Sequence, residues 1–399
     1  MITGVKEGMK VLVIHNMHKK GSSSGDDQVF KSESQLIERY GNNEVITYTV
    51  TNDTFNEGNI FTKLKLTFGM FWSFDNYKKV KDIIKKENPD IIHIHTDTKI
   101  GYMGLSVADK ANVPVVFTIH DYFMDRFASD SSKMVWNVKT YFEKQHFQDM
   151  LDNAVTVTSS CSRASIFVQR ADRKRNVKLI QSSTDTDKFD YRTATPESIK
   201  KIRMKLGLAP KSTVAVFAGQ ITVEKNLEFI ITAFAKYIKR SEDIQLLIAG
   251  EGPEADYLKA LCRTLKISDR VIFTGNIANS LMPDVYSACD IYVCSSDDGL
   301  MSMSFLEAMS CGLPVLVKSD KEQIVRDTIK SGVNGFIYSK KAEFAKYLKT
   351  LASLDANKRK RIKQIVRGSI VTENDTKLAE QYVEVYESAI QKYKKKRYK

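Results

Sequence analysis

Short β-branched runs alternate with helical segments along most of the chain, and this alternation constrains the fold more than any other feature of the sequence. Strand-like runs such as Val11–His15 and Pro114–His120 are separated by stretches whose apolar residues recur at helical spacing. Strand–helix–strand units of this kind build parallel sheets that helices cover on both faces. The sequence therefore predicts an α/β fold made of doubly wound, Rossmann-like sheets.

The alternation is interrupted by a polar stretch from Thr184 to about Lys211, after which it restarts at the strand TVAVFAG. A chain of 399 residues is too long for one ordinary hydrophobic core, so two such domains are expected. We place the linker in the polar stretch and predict domains over residues 1–184 and 185–371, followed by a helix over 372–399 that crosses back to the first domain and carries a basic tail. Ligands of parallel sheets bind beyond the carboxyl ends of the strands, so function is expected in a cleft that the two domains face.

The net charge of +13 favours an anionic partner, which would be nucleic acid, an acidic membrane surface or an anionic substrate. No recognised module places aromatic residues among basic ones for base contact, so nucleic acid is not an expected partner. The segment Phe61–Phe74 mixes aromatic residues with Lys63 and Lys65. It indicates either core packing or contact with an anionic membrane surface or a lipid-linked acceptor.

The location expected from the sequence is cytoplasmic, either free or at the inner face of the cell membrane. The longest apolar runs are far shorter than the roughly 20 residues of a membrane-spanning helix, and the N-terminal segment lacks the features of a signal peptide. The cysteines are scattered without metal-type pairs, which fits reduced thiols in the core and no metal site. They are Cys161, Cys262, Cys289, Cys294 and Cys311.

The turn AGQITVEKN at Ala218–Asn226 joins a strand to a helix. Gly219 lets the backbone approach a ligand, the amide groups and the helix dipole attract an anion, and Lys225 adds a positive charge. The segment is therefore either a phosphate site or an ordinary turn between a strand and a helix. Neither a Walker motif nor GxGxxG is present, so P-loop hydrolysis and nicotinamide binding have no support.

The segment Ser295–Pro314 places an acidic glycine loop at the end of a strand and Glu307 in the first turn of the next helix. A carboxylate there can accept hydrogen bonds from ribose hydroxyls while the helix N-terminus takes a diphosphate. The alternative is that Glu307 only stabilises the helix through its dipole.

Together these two segments resemble the donor site of the retaining glycosyltransferases of family four, which have the GT-B fold. The likeness extends across nearly the whole chain through HNMHKKGSSSGDDQVF, NPDIIHIH, PVVFTIHDY, IAGEGPEADYLKAL and RVIFTGNI. It implies metal-independent, retaining transfer of a hexose or N-acetylhexosamine from a nucleotide-sugar donor to a glycan or lipid-linked acceptor, without a further cofactor, in cell-envelope polysaccharide biosynthesis. The alternative is a catalytically silent relative that binds a glycan or an active partner.

The resemblance also implies roles for single residues. Lys225 would clamp the donor diphosphate, and Glu307 would bind the ribose hydroxyls. His120 would face the transferred sugar, although a capped histidine at a strand end is the alternative for that position. Gly25 would approach either the diphosphate or the acceptor. Further donor contacts are expected from Gly219 and Gln220, from the backbone of Val271–Ile277 including Asn276, and from Gly299, Leu300 and Met301.

Two positions depart from the family pattern. Gln220 stands where the family usually has arginine, which removes one of two diphosphate cations and leaves Arg270 and Lys318 as candidate substitutes. Gly299 stands where the family has the first of two glutamates. A one-residue insertion would restore Asp298 to the sugar as a catalytic acid group, and otherwise Asp297 or the backbone alone would hold the donor sugar.

Overall fold

The computed structural model describes residues 8–17, 25–41, 43–51, 74–96, 99–119, 145–159, 165, 168, 177–180, 184–239, 242–296, 303–319, 328–371 and 374–397. The chain divides into two compact units, one formed by Met1–Ser183 with Asp375–Lys399 and the other by Thr184–Asn374. Each unit is built on a six-stranded sheet whose paired strands run parallel. The prediction of two doubly wound α/β domains is confirmed.

The sheet of the first unit has the strand order β2-β1-β3-β4-β5-β6. Every residue of β3 and β4 is buried, as expected for strands covered on both faces. The strands are β1 (Lys10–Met17), β2 (Glu44–Thr51), β3 (Ile91–Ile94), β4 (Val115–Ile119), β5 (Thr156–Ser159) and β6 (Val177–Leu179), and the helices are α1 (Gly25–Gly41), α2 (Phe74–Glu87) and α3 (Lys99–Ala111), with a further helical segment at 145–153.

The sheet of the second unit has the order β12-β11-β10-β7-β8-β9. The chain runs outward from β7 through β8 and β9 and then returns to the other side of β7, so the order reverses between β7 and β10. Ligands of open parallel sheets bind at such a reversal. The strands are β7 (Thr213–Ala218), β8 (Ile244–Ala249), β9 (Val271–Gly275), β10 (Ile291–Cys294), β11 (Val315–Lys318) and β12 (Gly335–Tyr338), and the helices are α4 (Pro196–Lys205), α5 (Leu227–Tyr237), α6 (Ala255–Thr264), α7 (Met282–Ser287), α8 (Met303–Ser310), α9 (Lys341–Ala352) and α10 (Ala356–Val371).

The polar stretch predicted as a linker is a folded part of the second unit. Thr195 caps α4 by accepting a hydrogen bond from the Ser198 amide. The buried guanidinium of Arg367, from α10, donates to the carbonyls of Thr186 and Phe189 at 2.9 and 2.7 Å. The polarity of this stretch therefore reflects helix capping and backbone hydrogen bonding, and the linker assignment is wrong.

The last helix, α11 (Asn374–Arg397), packs against the core of the first unit. Tyr382 and Tyr386 are fully buried there beside the residues of β1 and α1. Among the described helices, none combines the length and the apolar character that crossing a bilayer requires. The described cysteines are buried thiols, as expected, and Cys161 lies outside the described residues; they are Cys262, Cys289, Cys294 and Cys311.

Candidate functional site

The turn after β7 stands at the reversal point of the second sheet, where the sequence predicts a phosphate site. Gly219 is exposed and has a φ of +145°, a conformation that side chains with a Cβ rarely adopt. Its amide donates to the Ala249 carbonyl at 3.0 Å, which joins the ends of β7 and β8. Gln220 follows as an exposed side chain. The backbone here can come close to a ligand, as the motif requires.

Two glycines after β8, which sequence reasoning quoted but did not assign to the site, fit against this turn. A Cβ on Gly250 would lie 1.9 Å from the Gly219 carbonyl oxygen, and one on Gly252 would lie 2.2 Å from the Ile221 carbonyl oxygen. The Ile221 amide also donates to the carbonyl of Glu251 at 2.9 Å. The two turns therefore interlock as one backbone surface, and only glycine fits at either contact.

Lys225 closes a 3-10 turn, Val223–Lys225, directly before α5. Asn226 joins the two elements with a left-handed φ of 48°. The hydroxyl of Ser295 donates to the carbonyls of Lys225 and Asn226 at 2.9 and 2.8 Å. Because Ser295 follows β10 and is fully buried, it ties the Lys225 backbone to the strand on the other side of the reversal point. Sequence reasoning did not identify this contact.

Glu307 lies on the second turn of α8, one turn later than predicted, and is 4% exposed. The interaction of a carboxylate with the helix dipole falls off within the first turn, so dipole stabilisation alone does not explain Glu307 at this position. Tyr286 Oη donates to Glu307 Oε2 at 3.0 Å, and Asn279 Nδ2 donates to Oε1 at 3.5 Å. Burial raises the pKa of Glu307 to about 6, against lowering by the Tyr286 hydroxyl, Lys188 and Asn279. The carboxyl group is therefore mostly ionised above that pH, which is the state that accepts hydroxyl hydrogen bonds.

Arg270, one candidate for the missing diphosphate cation, does not serve as one. Its guanidinium donates to the carbonyl oxygen of Ile244 at 3.0 Å and to that of Glu242 at 2.8 Å, and it lies 4.9 Å from the ring centroid of Phe234. It also precedes β9, at the amino edge of the sheet, whereas the predicted site is at the carboxyl edge. Lys318 ends β11 at the carboxyl edge and remains a candidate, with its ammonium 5.2 Å from the Phe229 ring centroid.

The predicted base-contact segment coincides with β9 and the two residues after it. The Asn276 amide donates to Glu251 Oε1 at 3.3 Å, so that amide is already paired within the protein. The turns after β8 and β9 are thereby joined, and this edge of the site has a defined backbone path.

Several predicted site residues lie outside the described residues, namely His120, Asp298, Gly299, Leu300 and Met301. Their predicted roles stay predictions. Gly25 is the first residue of α1, the helix that follows β1 in the first unit. No group of three or more histidine, cysteine, aspartate or glutamate residues suited to a metal ion occurs within the described part of the chain.

The first unit contains a buried acid–histidine cluster at the ends of β1 and β3. Glu33, on α1, is 0% exposed and has Oε2 3.5 Å from His95 Nδ1. His95 Nε2 lies 3.0 Å from His93 Nδ1, which is 2.7 Å from the hydroxyl of Tyr386 on α11. Burial raises the pKa of Glu33 to about 8, against a smaller lowering by Tyr382. Sequence reasoning missed this cluster because its members are spread over the whole chain.

Comparison with known protein families gives two matches. Residues 198–368 match the family described as Glycosyl transferases group 1. Residues 35–188 match the family described as Glycosyltransferase Family 4. The first of these regions lies within the second unit, and the other lies in the first unit apart from residues 184–188.

The chain also resembles individual proteins. It is 26% identical over 289 residues to the alpha-monoglucosyldiacylglycerol synthase of Streptococcus pneumoniae, covering 70% of this chain and 64% of that enzyme, and 25% identical to the synthase of the same name from Acholeplasma laidlawii, covering 66% and 67%. The crystal structure of Anabaena HepE in complex with UDP and glucose aligns with a TM-score of 0.69 at 20% identity, over 95% of this chain and 100% of that one. The structural match bears on the fold alone.

Proposed function

The chain belongs to the group 1 glycosyltransferases, and on that premise we propose that it transfers a hexose from a nucleoside diphosphate sugar to a lipid or glycan acceptor. One observation carries the proposal: the backbone of Lys225 is fixed by Ser295 at the reversal point of the second sheet. That is where a parallel sheet binds nucleotides. The buried carboxylate of Glu307 follows β10, on the helix beyond the same strand end.

On the donor side, the exposed backbone at Gly219 and the ammonium of Lys225 would hold the diphosphate. Glu307 would accept hydrogen bonds from the ribose hydroxyls. The bond between the anomeric carbon and the diphosphate oxygen breaks, and negative charge grows on the departing phosphate. A fixed positive charge and oriented amides stabilise that charge, which lowers the barrier by several kcal/mol in a site of low dielectric.

The chemistry we propose is retaining and uses no metal or other cofactor. The acceptor hydroxyl attacks the anomeric carbon on the face that the diphosphate leaves, and its proton passes to the departing phosphate oxygen. His120 and Asp298 would contact the transferred sugar. No paired carboxylates of the kind that glycosidases use are then needed.

For the acceptor we propose a membrane lipid such as diacylglycerol, in the construction of cell-envelope glycolipids or polysaccharides. The names of the two bacterial relatives support a diacylglycerol acceptor and a glucosyl group. The ligands in the Anabaena structure support UDP-glucose as the first donor to test.

We also propose peripheral contact with an anionic membrane surface. Helix α2 carries exposed lysines at 78, 79, 81, 85 and 86, and the end of α11 carries exposed Lys392, Lys394, Lys395 and Lys396. Basic residues near an anionic bilayer contribute about 1 kcal/mol each, and salt screens that attraction. Binding to vesicles should therefore require acidic lipid and weaken as salt rises. Equal binding to neutral and acidic vesicles, or binding to neither, would contradict contact with an anionic membrane surface.

The function is tested by screening UDP-, GDP- and ADP-glucose for thermal stabilisation and then assaying sugar transfer to diacylglycerol in vesicles. A donor at 100 times its dissociation constant stabilises the fold by about 2.7 kcal/mol. We expect one donor to stabilise the protein and to be consumed only when the acceptor is present. Glycan binding without donor binding would instead support the alternative, a silent glycan-binding relative.

A further inference from the structure

Glu307 is held directly by Asn279 and Tyr286, which lie in adjoining elements of the second unit, and Asn279 is held in turn by Lys188 from a separate segment. We propose that Lys188, Asn279 and Tyr286 are positioning residues that keep the Glu307 carboxylate charged and oriented toward the donor ribose. The inference rests on the proposed function, in which Glu307 binds that ribose. It adds to that function the residues on which the carboxylate depends.

Asn279 connects the ammonium of Lys188 to the carboxylate. Lys188 Nζ donates to Asn279 Oδ1, and Asn279 Nδ2 donates to Glu307 Oε1 at 3.5 Å. An ammonium has only donors and a carboxylate only acceptors, so a single orientation of the amide satisfies both. The positive end of the Asn279 amide dipole then faces Glu307. The ammonium of Lys188 therefore acts on the carboxylate partly through this amide group.

Tyr286 holds the other carboxylate oxygen. Its hydroxyl donates to Oε2 at 3.0 Å, and the whole side chain is buried, with its ring 6.1 Å from that of Phe189. A carboxylate has about four lone-pair positions, and the contacts with Tyr286 and Asn279 use one on each oxygen. One further acceptor position on each oxygen can therefore receive a ribose hydroxyl, which matches the two hydroxyls of a ribose.

Lys188 is one of the groups that favour the charged form of Glu307, together with Tyr286 and Asn279. Burial raises the pKa of Glu307 to about 6, and Lys188 acts in the opposite direction. Among the described residues, Tyr286 and Cys311 also face it, and burial raises the pKa of each, so both stay protonated and neutral. Without the lysine, the pKa of Glu307 should rise further, into the range where donor binding is measured.

The sign of the effect on stability follows from that ionisation. Lys188 attracts Glu307 only when Glu307 is charged, which in the folded protein requires a pH above about 6. Loss of Lys188 should therefore cost more stability at pH 8 than at pH 5. A purely structural role for the lysine stem would cost the same at both.

The test uses Lys188→Met, with Lys188→Arg as the charge-retaining variant and the exposed Lys201→Met as the control. The probes are UDP and 2′,3′-dideoxy-UDP, titrated between pH 5.5 and 8.5. At pH 6.5 we expect Lys188→Met to weaken UDP binding about five- to tenfold and to bind the two nucleotides almost equally, while Lys188→Arg restores the preference for UDP. Tyr286→Phe should reduce the same preference, most strongly at low pH, because the tyrosine hydroxyl also lowers the pKa of Glu307.

A second measurement does not depend on nucleotide. Unfolding by denaturant of Lys188→Met, Glu307→Gln and the double variant should show coupling between the two residues at pH 8 and none at pH 5. Additive losses at both pH values, or equal weakening of UDP and the dideoxy analogue, would overturn the positioning role. If Lys188 and Glu307 are coupled but the protein binds no nucleoside diphosphate, the positioning of Glu307 is supported. Only the proposed function is then contradicted.

Discussion

Ser295 and Lys225 are joined by a 2.9 Å hydrogen bond from the serine hydroxyl to the lysine carbonyl, across 70 residues of sequence. The same hydroxyl donates to the carbonyl of Asn226 at 2.8 Å. The turn that carries the proposed diphosphate cation is thereby attached to the end of β10. Small displacements of a charged group in a binding site can cost large factors in rate, so this attachment bears directly on function.

Ser295→Ala should loosen the turn that carries Lys225. The variant leaves two carbonyls without their donor in a buried place, which costs about 1–3 kcal/mol of unfolding free energy. Nucleotide affinity should fall as well, because the turn is no longer fixed. Denaturant unfolding and UDP titration measure the two effects. The exposed Ser353→Ala is the control, and an equally small loss of stability in both variants would contradict the role of Ser295.

Gly250→Ala tests the interlocked turns. The new Cβ would lie 1.9 Å from the Gly219 carbonyl oxygen, at a φ of +153°, so one turn must move. We expect the free energy of unfolding to fall by at least about 2 kcal/mol and UDP binding to weaken.

Gly368→Ala, on α10, is the matched control for this change. A Cβ there would meet nothing within 4 Å, so alanine should stabilise the helix by about 0.5–1 kcal/mol. Unchanged stability and binding in Gly250→Ala would show that the two turns are not in the close contact described.

Glu33→Gln should change how stability depends on pH. The pKa of Glu33 in the folded protein is about 8, above its ordinary value of 4.5, so the folded state retains a proton that the unfolded state has lost. The contribution of protonated Glu33 to the free energy of unfolding is fully present below about pH 4.5. It falls as the pH rises toward 8, by up to about 1.4 kcal/mol per pH unit. The glutamine variant should lack this decline.

Denaturant unfolding at several pH values between 5 and 9 checks this, with Glu38→Gln as the control. Glu38 lies on the same helix but is exposed. If wild type and Glu33→Gln show parallel pH profiles, Glu33 does not retain its proton in the folded state.

Gln220→Arg should strengthen nucleotide binding. Arginine at this exposed position restores a cation beside the Gly219 turn, and a guanidinium can bind two phosphate oxygens at once. We expect a five- to tenfold lower dissociation constant for UDP, measured by titration calorimetry. Thr264→Arg adds the same charge at an exposed position on α6. Equal tightening in both variants would assign the gain to net charge instead of to the site.

Much of the fold can be predicted from the sequence because its buried strands are continuous apolar runs. β7 and β10 are buried at every residue and are easily recognised. The four-residue β12 was missed, since so short a run beside glycine and asparagine gives a weak signal. The packing of helix α10 is hidden by its basic residues, because Arg359 within it donates to Asp290 Oδ1 at 3.0 Å and to the Ala352 carbonyl at 2.7 Å.

The candidate site was predictable only where its residues lie in one motif. Lys225 and Glu307 stand in segments whose order resembles a family pattern. The residues that support Glu307 lie outside those segments. Tyr286 is 21 residues from Glu307, and Lys188 is 91 residues from Asn279. Contacts between such distant segments depend on the packing of the whole unit, which local patterns do not specify.

The most direct test of the central claim is mass-spectrometric detection of sugar transfer from UDP-glucose to diacylglycerol in acidic vesicles. Wild type, Lys225→Ala and the control Lys346→Ala, an exposed lysine on α9, are compared after each is shown to be folded. We predict a hexosylated lipid with wild type and Lys346→Ala, and a turnover 10- to 1,000-fold lower with Lys225→Ala, which corresponds to about 1.4–4 kcal/mol of barrier. Equal turnover in folded Lys225→Ala, or no transfer by wild type from UDP-, GDP- or ADP-glucose, would contradict the account.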